Sequence, residues 1–559
     1  MKKLIFLTAL LASLVSCRQA VVEQAPPHLE KRGEVTQLIV QGKPWLALSA
    51  ELRNSSSSSR SHMASVWPAL KGKGLNTLIG SVSWEQIEPE EGVFDFQCVD
   101  EIIEDARANG FKLILIWFAS WKNGITSYVP AWVQKDTERF PLAQTPDGHR
   151  LSILSTLSPA SAEADARAFA ALMKHIRAVD SAEQTVIMMQ VENEVGLHGY
   201  PRDHHPLADT AFAGAVPEAL LQYLAGNELL PETREAWSGA TAGTWAEVFS
   251  PLDRAEEIFM AWNYASYMDR VAAAGKAEYG IPMFVNAWIV QPEDTRPGNY
   301  PSGGPQAQCH DIWRAGAPHI DILSPDIYLD DYPGILQMYA RLGNPVFVPE
   351  SRAGLGGAAN AAFTIGEMGG IGYSPFGLDS QAENPANEPF YEFYHTAGSI
   401  ADLILAAQAE GRIAGVWFKG SSPFFVKDER SLGNWTVLFE MVSSGMRNGG
   451  APQLTGGTYD PATSGYAIVI QEDTDRYLVL GANVRVTFRP ADGKGTAGLG
   501  KVTEVSYKDG VKEVGRWLNG DEIQLRYDLI PAAEEGFSGQ GLNFGSSHPS
   551  LQEVELFVY

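Results

Sequence analysis

The chain has 559 residues, with 42 Lys+Arg against 67 Asp+Glu and a formal net charge of −25. That length calls for two or three domains rather than one core, and 45% hydrophobic against 19% charged residues excludes a disordered chain. So acidic a surface repels phosphate backbones, which excludes nucleic acid as a partner.

The N-terminus reads MKKLIFLTALLASLVSC. Two lysines precede an apolar run too short to cross a bilayer, the pattern of a signal peptide over residues 1–16. Leu14-Val15-Ser16-Cys17 resembles the lipobox of bacterial lipoproteins. That resemblance implies cleavage before Cys17, lipid on its thiol and amine, and an exported protein held to a membrane by the anchor, at the periplasmic face or the outer membrane surface. An ordinary signal peptide with an incidental cysteine is the alternative. Residues 17–38 are polar with a Pro-Pro pair and suit a tether. The other cysteines, Cys98 and Cys309, are too few for a disulfide framework and are expected as buried free thiols, Cys98 near the start of a helix.

From about residue 40 to 380, short apolar runs alternate with helical segments. The runs are PWLALSAE, LNTLIGSVSW, FKLILIWFASW, TVIMMQVENE, IPMFVNAW, HIDILSPDIYLDD, NPVFVPES and GGIGYSPFG. The helix before the third closes on Gly110, a usual helix stop. Eight βα units predict an α/β fold, a (β/α)8 TIM barrel with inserted loops over residues 39–450. An open doubly wound sheet is the alternative, but the phosphate-binding turn expected near its start is missing. The stretch 199–250, rich in Pro and His, reads as a long loop on the catalytic face. The serine run at 54–59 carries no chemistry. Over 451–559 apolar and polar residues alternate between turns, which predicts an antiparallel β-sandwich domain with a packing or sugar-binding role. RIAGVWFKG, residues 412–420, is either a late barrel element or a link.

Barrel strand tips face the active site. They carry Glu51, Trp84-Glu85, Trp121-Lys122-Asn123, Asn193-Glu194, Asn286-Ala287-Trp288, Asp326 with Tyr328, Glu350-Ser351-Arg352 and Tyr373-Ser374. No group of metal ligands stands out among them, and no cofactor is expected. QVENEVG ends the fourth strand and VFVPES the seventh, so Glu194 and Glu350 face each other across the barrel. Facing carboxylates are the machinery of glycoside hydrolysis: one protonates the leaving oxygen, the other attacks the anomeric carbon or activates water. Acids so placed are costly to bury without partners or a task.

GLNTLIGSVSWEQIEPEEGVFDF, YVPAWV and QVENEVG together resemble glycoside hydrolase family 35 β-galactosidases over about residues 40–380. Within the wider retaining clan the resemblance implies Glu194 as acid/base, Asn193 as ligand of the sugar 2-hydroxyl and Glu350 as nucleophile. Tyr328 is the hydrogen-bond donor expected to keep Glu350 ionised, with a Glu350–Arg352 ion pair as the bland alternative. Glu51, Trp84, Trp121, Asn123 and Trp288 complete the expected sugar-binding set. The C-terminal region resembles the sandwich appended to a bacterial branch of the family. The chain departs from the family at Ser81-Val82-Ser83-Trp84, where Tyr-x-x-Trp is common, and at Ser120-Trp121-Lys122-Asn123, where Ala-Glu-Trp is common. Those positions hold galactose hydroxyls, so the catalytic pair is better supported than the sugar.

Glu192 competes with Glu194. Period two puts both on one strand face with Asn193 opposite, so the strand must bend or end there for Asn193 and Glu194 both to reach a sugar. Glu192 is then expected lower down, as a buried hydrogen-bonding residue. Three other motifs are weaker. GLGGAA (354–359) lacks the acidic residue of a dinucleotide fingerprint, and GYSPF (372–376) lacks the second glycine of a nucleophile elbow. His198, Asp203, His204 and His205 lack helical zinc spacing and read as a solvated loop. The expected function is retaining removal of non-reducing-terminal β-galactosyl residues from oligo- or polysaccharides, xyloglucan side chains being one source. Another terminal sugar, arabinose or fucose, or a non-catalytic sugar-binding surface lipoprotein, are the alternatives.

Overall fold

The computed structural model describes residues 25–419, 427–441, 464–524 and 538–559. The expected signal peptide and Cys17 lie outside them. No helix among the described residues is long and apolar enough to cross a membrane.

The chain opens with a three-stranded antiparallel sheet, β1 (His28–Arg32), β2 (Val35–Val40) and β3 (Lys43–Trp45). The expected tether is therefore structured from residue 28 onward. Sequence alone hid this because β1 is mostly polar and half-exposed, and only the end of β2 is buried. Leu38 and Val40 pack among Ile79, Ile114, Ile187, Phe284 and Phe347, which lie in the barrel interior toward the strand starts. The small sheet thus closes the barrel at the end away from the strand tips.

The barrel itself is β4 (Ala47–Glu51), β5 (Thr77–Ser83), β6 (Lys112–Phe118), β9 (Val186–Val191), β10 (Met283–Trp288), β11 (Ile322–Asp326), β12 (Phe347–Ser351) and β13 (Gly372–Pro375). The hairpin β7 (Leu142–Gln144) and β8 (Arg150–Leu154) lies between the third and fourth barrel strands. All eight strands expected from the sequence are present, parallel and closed. Burial on both faces explains why they read as continuous apolar runs such as KLILIWF and VIMMQV. The helix Gln97–Asn109 ends on Gly110 at φ +81°, as the sequence suggested. Cys309 is buried as expected, whereas Cys98, in that helix's first turn, is only half-buried; both are free thiols.

Four short helices, Pro206–Phe212, Glu218–Gly226, Pro231–Ala236 and Trp245–Val248, fill the long connection after β9. The His-rich stretch before them is no solvated loop. Asp203 is fully buried and accepts from Gln144 N (2.9 Å), Ser155 Oγ (2.6 Å) and His205 N (2.7 Å).

The C-terminal unit contains two antiparallel sheets. One has the order β14 (Ile413–Lys419), β17 (Ser464–Asp473), β18 (Arg476–Ala482), β23 (Ser550–Val558), β20 (Ala497–Lys508), β21 (Val511–Trp517). The other runs β15 (Lys427–Leu432), β16 (Trp435–Met441), β19 (Val484–Pro490), β22 (Leu542–Phe544). The unit begins near residue 413 rather than at 451, because β14 pairs with β17 from Ile413↔Ile470 to Lys419↔Ser464. An apolar run does not announce which sheet it will join, and this partner lies some fifty residues downstream. The glycine-rich segment at 354–359 opens the helix Gly354–Gly366, which packs on the same sheet. A Cβ at Gly357 would stand 2.3 Å from the Arg352 carbonyl oxygen, and one at Gly366 only 2.9 Å from Ile468 Cγ1. Gly357 is thus fixed by the tight turn out of β12 and Gly366 by packing on the sheet.

Leu38→Ala should destabilise the protein by about 2–4 kcal/mol, the range for emptying a buried leucine site. Urea unfolding measures it; a loss under about 1 kcal/mol would mean that the small sheet is not part of the barrel core.

Candidate active site

The site begins where β9 stops. The strand ends at Val191, and Glu192 (φ +60°) and Glu194 (φ +45°) both lie in the left-handed region. Each such non-glycine residue costs about 1–2 kcal/mol and persists only where its surroundings hold it. Glu192 supplies that hold. It is fully buried and accepts from Ala119 N (3.2 Å), Ser120 N (2.9 Å) and Trp121 N (2.8 Å) just beyond β6, while its own N–H donates to Trp117 O (3.1 Å). Burial, with the charge of neighbouring Asp165, raises its pKa well above the usual carboxylate range. The bend that the sequence required is therefore real, and Glu192 is the structural member of the pair.

The turn releases Asn193 and Glu194 into an amide network. Glu194 N donates to Asn286 Oδ1 (2.9 Å), and Asn286 Nδ2 donates to Asn193 Oδ1 (3.0 Å) and Asp326 Oδ2 (2.7 Å). Asn193 Oδ1 also accepts from Gln190 Nε2 (2.9 Å), and Asn193 Nδ2 donates to Lys122 O (2.9 Å). Parallel register sets Trp288 level with Asp326, and Asp326 level with Glu350. Tyr328 donates to Glu350 Oε1 at 2.7 Å. Arg352 makes no ion pair with Glu350; its guanidinium lies over the Tyr328 ring, 6.0 Å from the centroid.

Carboxylate oxygens of Glu194, Asp326 and Glu350 all lie within 4.8 Å of one another. Burial first, then the charge of Glu350, pushes Glu194 up to about 7, with Lys122 and a hydrogen bond to Asp326 pulling the other way. Burial also raises Glu350, but Lys122 and the Tyr328 hydroxyl oppose the rise. Asp326 and Glu51 are raised well above the usual range by burial and then by Glu350. The site thus pairs a carboxyl that keeps its proton near neutrality with one whose ionised form is hydrogen-bonded. Such a pair can donate a proton and attack an electrophilic carbon. Among the described residues this trio is also the only group dense enough in ligands to take a cation, which would compete with the proton on Glu194.

The sequence-predicted residues divide sharply. Glu194, Glu350, Asn193 and Tyr328 meet at the site, and Glu51 joins them electrostatically from the tip of β4. Trp288 is half-buried at the end of β10 with its ring edge-on to His198. Trp84 and Trp121 are both 0% exposed and belong to the core behind the strands, so neither offers a face to a ligand. Trp84 Nε1 donates to Glu88 Oε2 (2.8 Å), Gly92 N to Glu88 Oε1 (2.8 Å), and Trp132 Nε1 to the Glu88 carbonyl (3.0 Å). The Trp-Glu-Gly and Pro-Ala-Trp motifs are therefore one structural knot. Trp121 packs edge-on to Tyr264 and Tyr267. The Asn123 side chain caps its own turn, accepting from Ile125 N (2.9 Å) and Thr126 N (3.0 Å). Lys122, Asn286 and Asp326 were missing from the expected set, although all three stand at strand tips and the strand-tip rule reaches them.

Comparison with known proteins follows the same lines. A family model described as β-galactosidase, that of glycoside hydrolase family 42 rather than family 35, matches residues 57–266, which include Glu194 but not Glu350. A domain of unknown function (DUF5597) matches residues 390–529. A β-galactosidase of Xanthomonas manihotis is 29% identical over 181 residues, 31% of this chain and 27% of that protein. One from Arthrobacter sp is 30% identical over 128 residues, 22% of this chain and 17% of that protein. The chain thus matches less than a third of the length of either relative. Among solved structures, a β-galactosidase from Bacillus circulans sp. alkalophilus gives a TM-score of 0.45 at 16% identity, covering 65% of this chain and 57% of that one. The catalytic domain of β-amylase from Paenibacillus polymyxa gives 0.46 at 11% identity, with 62% and 97% covered.

Glu194 titrates near 7 when folded and near 4.3, roughly, when unfolded. The folded state holds the extra proton, so its contribution to stability is complete below about pH 4 and is lost as pH rises through about 7. Glu194→Gln escapes that loss. It should be more stable than the wild type at pH 8, by up to about 3 kcal/mol, with the gap closing toward pH 5. A gap that does not vary with pH, in melts across this range, would contradict the raised pKa.

Proposed function

We propose that the chain is a retaining glycoside hydrolase that removes β-galactosyl residues from the non-reducing ends of oligo- or polysaccharides, xyloglucan side chains among them. Glu350 attacks the anomeric carbon as Glu194 protonates the departing oxygen; Glu194 then takes a proton from the water that releases the sugar. One observation carries this reading: a carboxyl oxygen of Glu194 and one of Glu350 lie within 4.8 Å of each other, which puts the two groups in the closer of the two known ranges. Retaining enzymes hold their carboxyls roughly 5–5.5 Å apart, and inverting ones leave about 6.5–9.5 Å for a water. The elevated Glu194 and the Tyr328–Glu350 bond support the division of roles. Glu51, Lys122 and the remaining N–H of Asn193 are the groups that would hold sugar hydroxyls, with Trp288 at the rim. The galactosyl preference rests on the matched family model and on the relatives named β-galactosidase. The family 35 motifs point to the clan with catalytic glutamates on the fourth and seventh strands; the family 42 model spans the fourth strand and ends before the seventh. No step calls on a metal or cofactor.

Glu350→Gly should lose turnover on aryl β-galactosides by several orders of magnitude. Added azide should enter the vacated space, attack the anomeric carbon and leave an α-galactosyl azide, visible by proton NMR. Near-wild-type turnover by the folded variant would sink the assignment.

Export and a lipid anchor at Cys17 belong to the same proposal, supported by the MKKLIFLTALLASLVSC leader. Acyl chains contribute about 0.8 kcal/mol per buried CH₂, so several chains hold firmly where a polar segment alone does not. Cys17→Ser should move active protein from the membrane to the soluble fraction. Retention in the membrane pellet would overturn the anchor.

A further inference from the structure

We infer that a second cavity, on the flank of the barrel mouth, binds the leaving-group side of a neutral oligosaccharide substrate; this deepens the proposed hydrolase reading and rests on it. The cavity holds about 1130 Å³, the upper end of the size of sites that enclose organic ligands. Its inner wall starts one residue beyond the site: Ile289 follows Trp288, and Leu329 follows Tyr328, the partner of Glu350. Its outer wall comes from the connection after β9, through Glu232 and Arg254. It is bounded by the connections after β9, β10 and β11, so it occupies the sector of the catalytic face that carries the proton donor. A leaving group departs on the side of that donor.

The floor is a built polar surface. Glu257, 1% exposed, accepts from Tyr300 Oη (2.7 Å) and Gln308 Nε2 (3.1 Å) and pairs with Arg254, whose Nη2 donates to Gln308 O (2.6 Å). Tyr339 also lines the cavity; it is 3% exposed, with its hydroxyl buried against the backbone of Ala307.

Charge narrows the ligand. Seven of the lining residues are carboxylates; Glu257, Glu232 and Asp330 pair with Arg254, Arg341 and Lys419, and the other four leave the wall net negative. Such a wall repels phosphates and uronic acids but accepts hydrogen bonds from neutral hydroxyls. Ile289, Pro292, Leu329, Ile335 and Met338 supply apolar surface for the C–H faces of sugar rings.

The test compares two substrates in two variants. Met338→Trp, at a 41% exposed position, fills the cavity from its rim; Glu293→Leu removes an acceptor from its wall. Each should raise KM for a neutral galactose-terminated tetrasaccharide at least fivefold with kcat little changed. Hydrolysis of 4-nitrophenyl β-galactoside, which has no chain to place there, should stay at the wild-type level. An equal change on both substrates, or none on the tetrasaccharide, overturns the inference. Calorimetry with the tetrasaccharide on Glu350→Gln protein separates the two readings. If no galactoside is cleaved yet binding falls when Met338→Trp is added, the hydrolase reading fails and the cavity stands. If the tetrasaccharide binds no more tightly than galactose, the cavity inference fails.

Discussion

The arrangement depends on three backbone N–H groups at the end of one strand and the carboxylate that gathers them. Ala119, Ser120 and Trp121 donate to Glu192, and that clamp holds the chain in the left-handed turn that follows β9. A strand continuing past Val191 would place Asn193 and Glu194 on opposite faces. The clamp removes that conflict and also fixes the loop carrying Lys122, whose carbonyl accepts from Asn193. One buried acid thereby positions Glu194, the Asn193 amide beside it and the loop of Lys122. The strain of two positive-φ glutamates is offset by bonds made well below the reacting groups.

A second constraint is electrostatic. Glu51, Glu194, Asp326 and Glu350 share a small buried volume, and like charges this close cannot all ionise. The network distributes the burden unevenly. Burial raises both and Lys122 lowers both; Glu350 differs in having a phenol donor, Tyr328, and Glu194 in having the charge of a carboxylate neighbour, Glu350. Their environments push the two toward different protonation states, which is how one pair of identical side chains acquires two roles.

Around this centre, much that looked chemical is architectural. Trp84, Glu88, Gly92 and Trp132 tie the connections after the second and third barrel strands together. Gly366 lets a helix approach the C-terminal sheet, and Gly357 lets that helix turn closely on the end of β12. The small N-terminal sheet closes the far end of the barrel with Leu38 and Val40. The tryptophan and glycine clusters leave motifs in the sequence, and a motif shared with enzymes is not thereby a motif that touches substrate.

The sequence by itself determined the eight strands, their parallel closure, and the strand-tip positions of Glu194 and Glu350, because strands buried on both faces leave uninterrupted apolar runs with polar residues only where they end. It also determined that the fourth strand had to break near Glu192, since period two allows no other access for both neighbours. It did not determine that Trp84 and Trp121 turn into the core: a tryptophan at a strand tip reads alike whether it faces a ligand or a helix. Nor did it place the start of the C-terminal unit, because the partner of β14 lies far along the chain. The site set by Asn286, Asp326 and Lys122 was decided only in three dimensions. Those residues come from separate strands, and hydrogen bonding and charge between them depend on distances that no local pattern encodes.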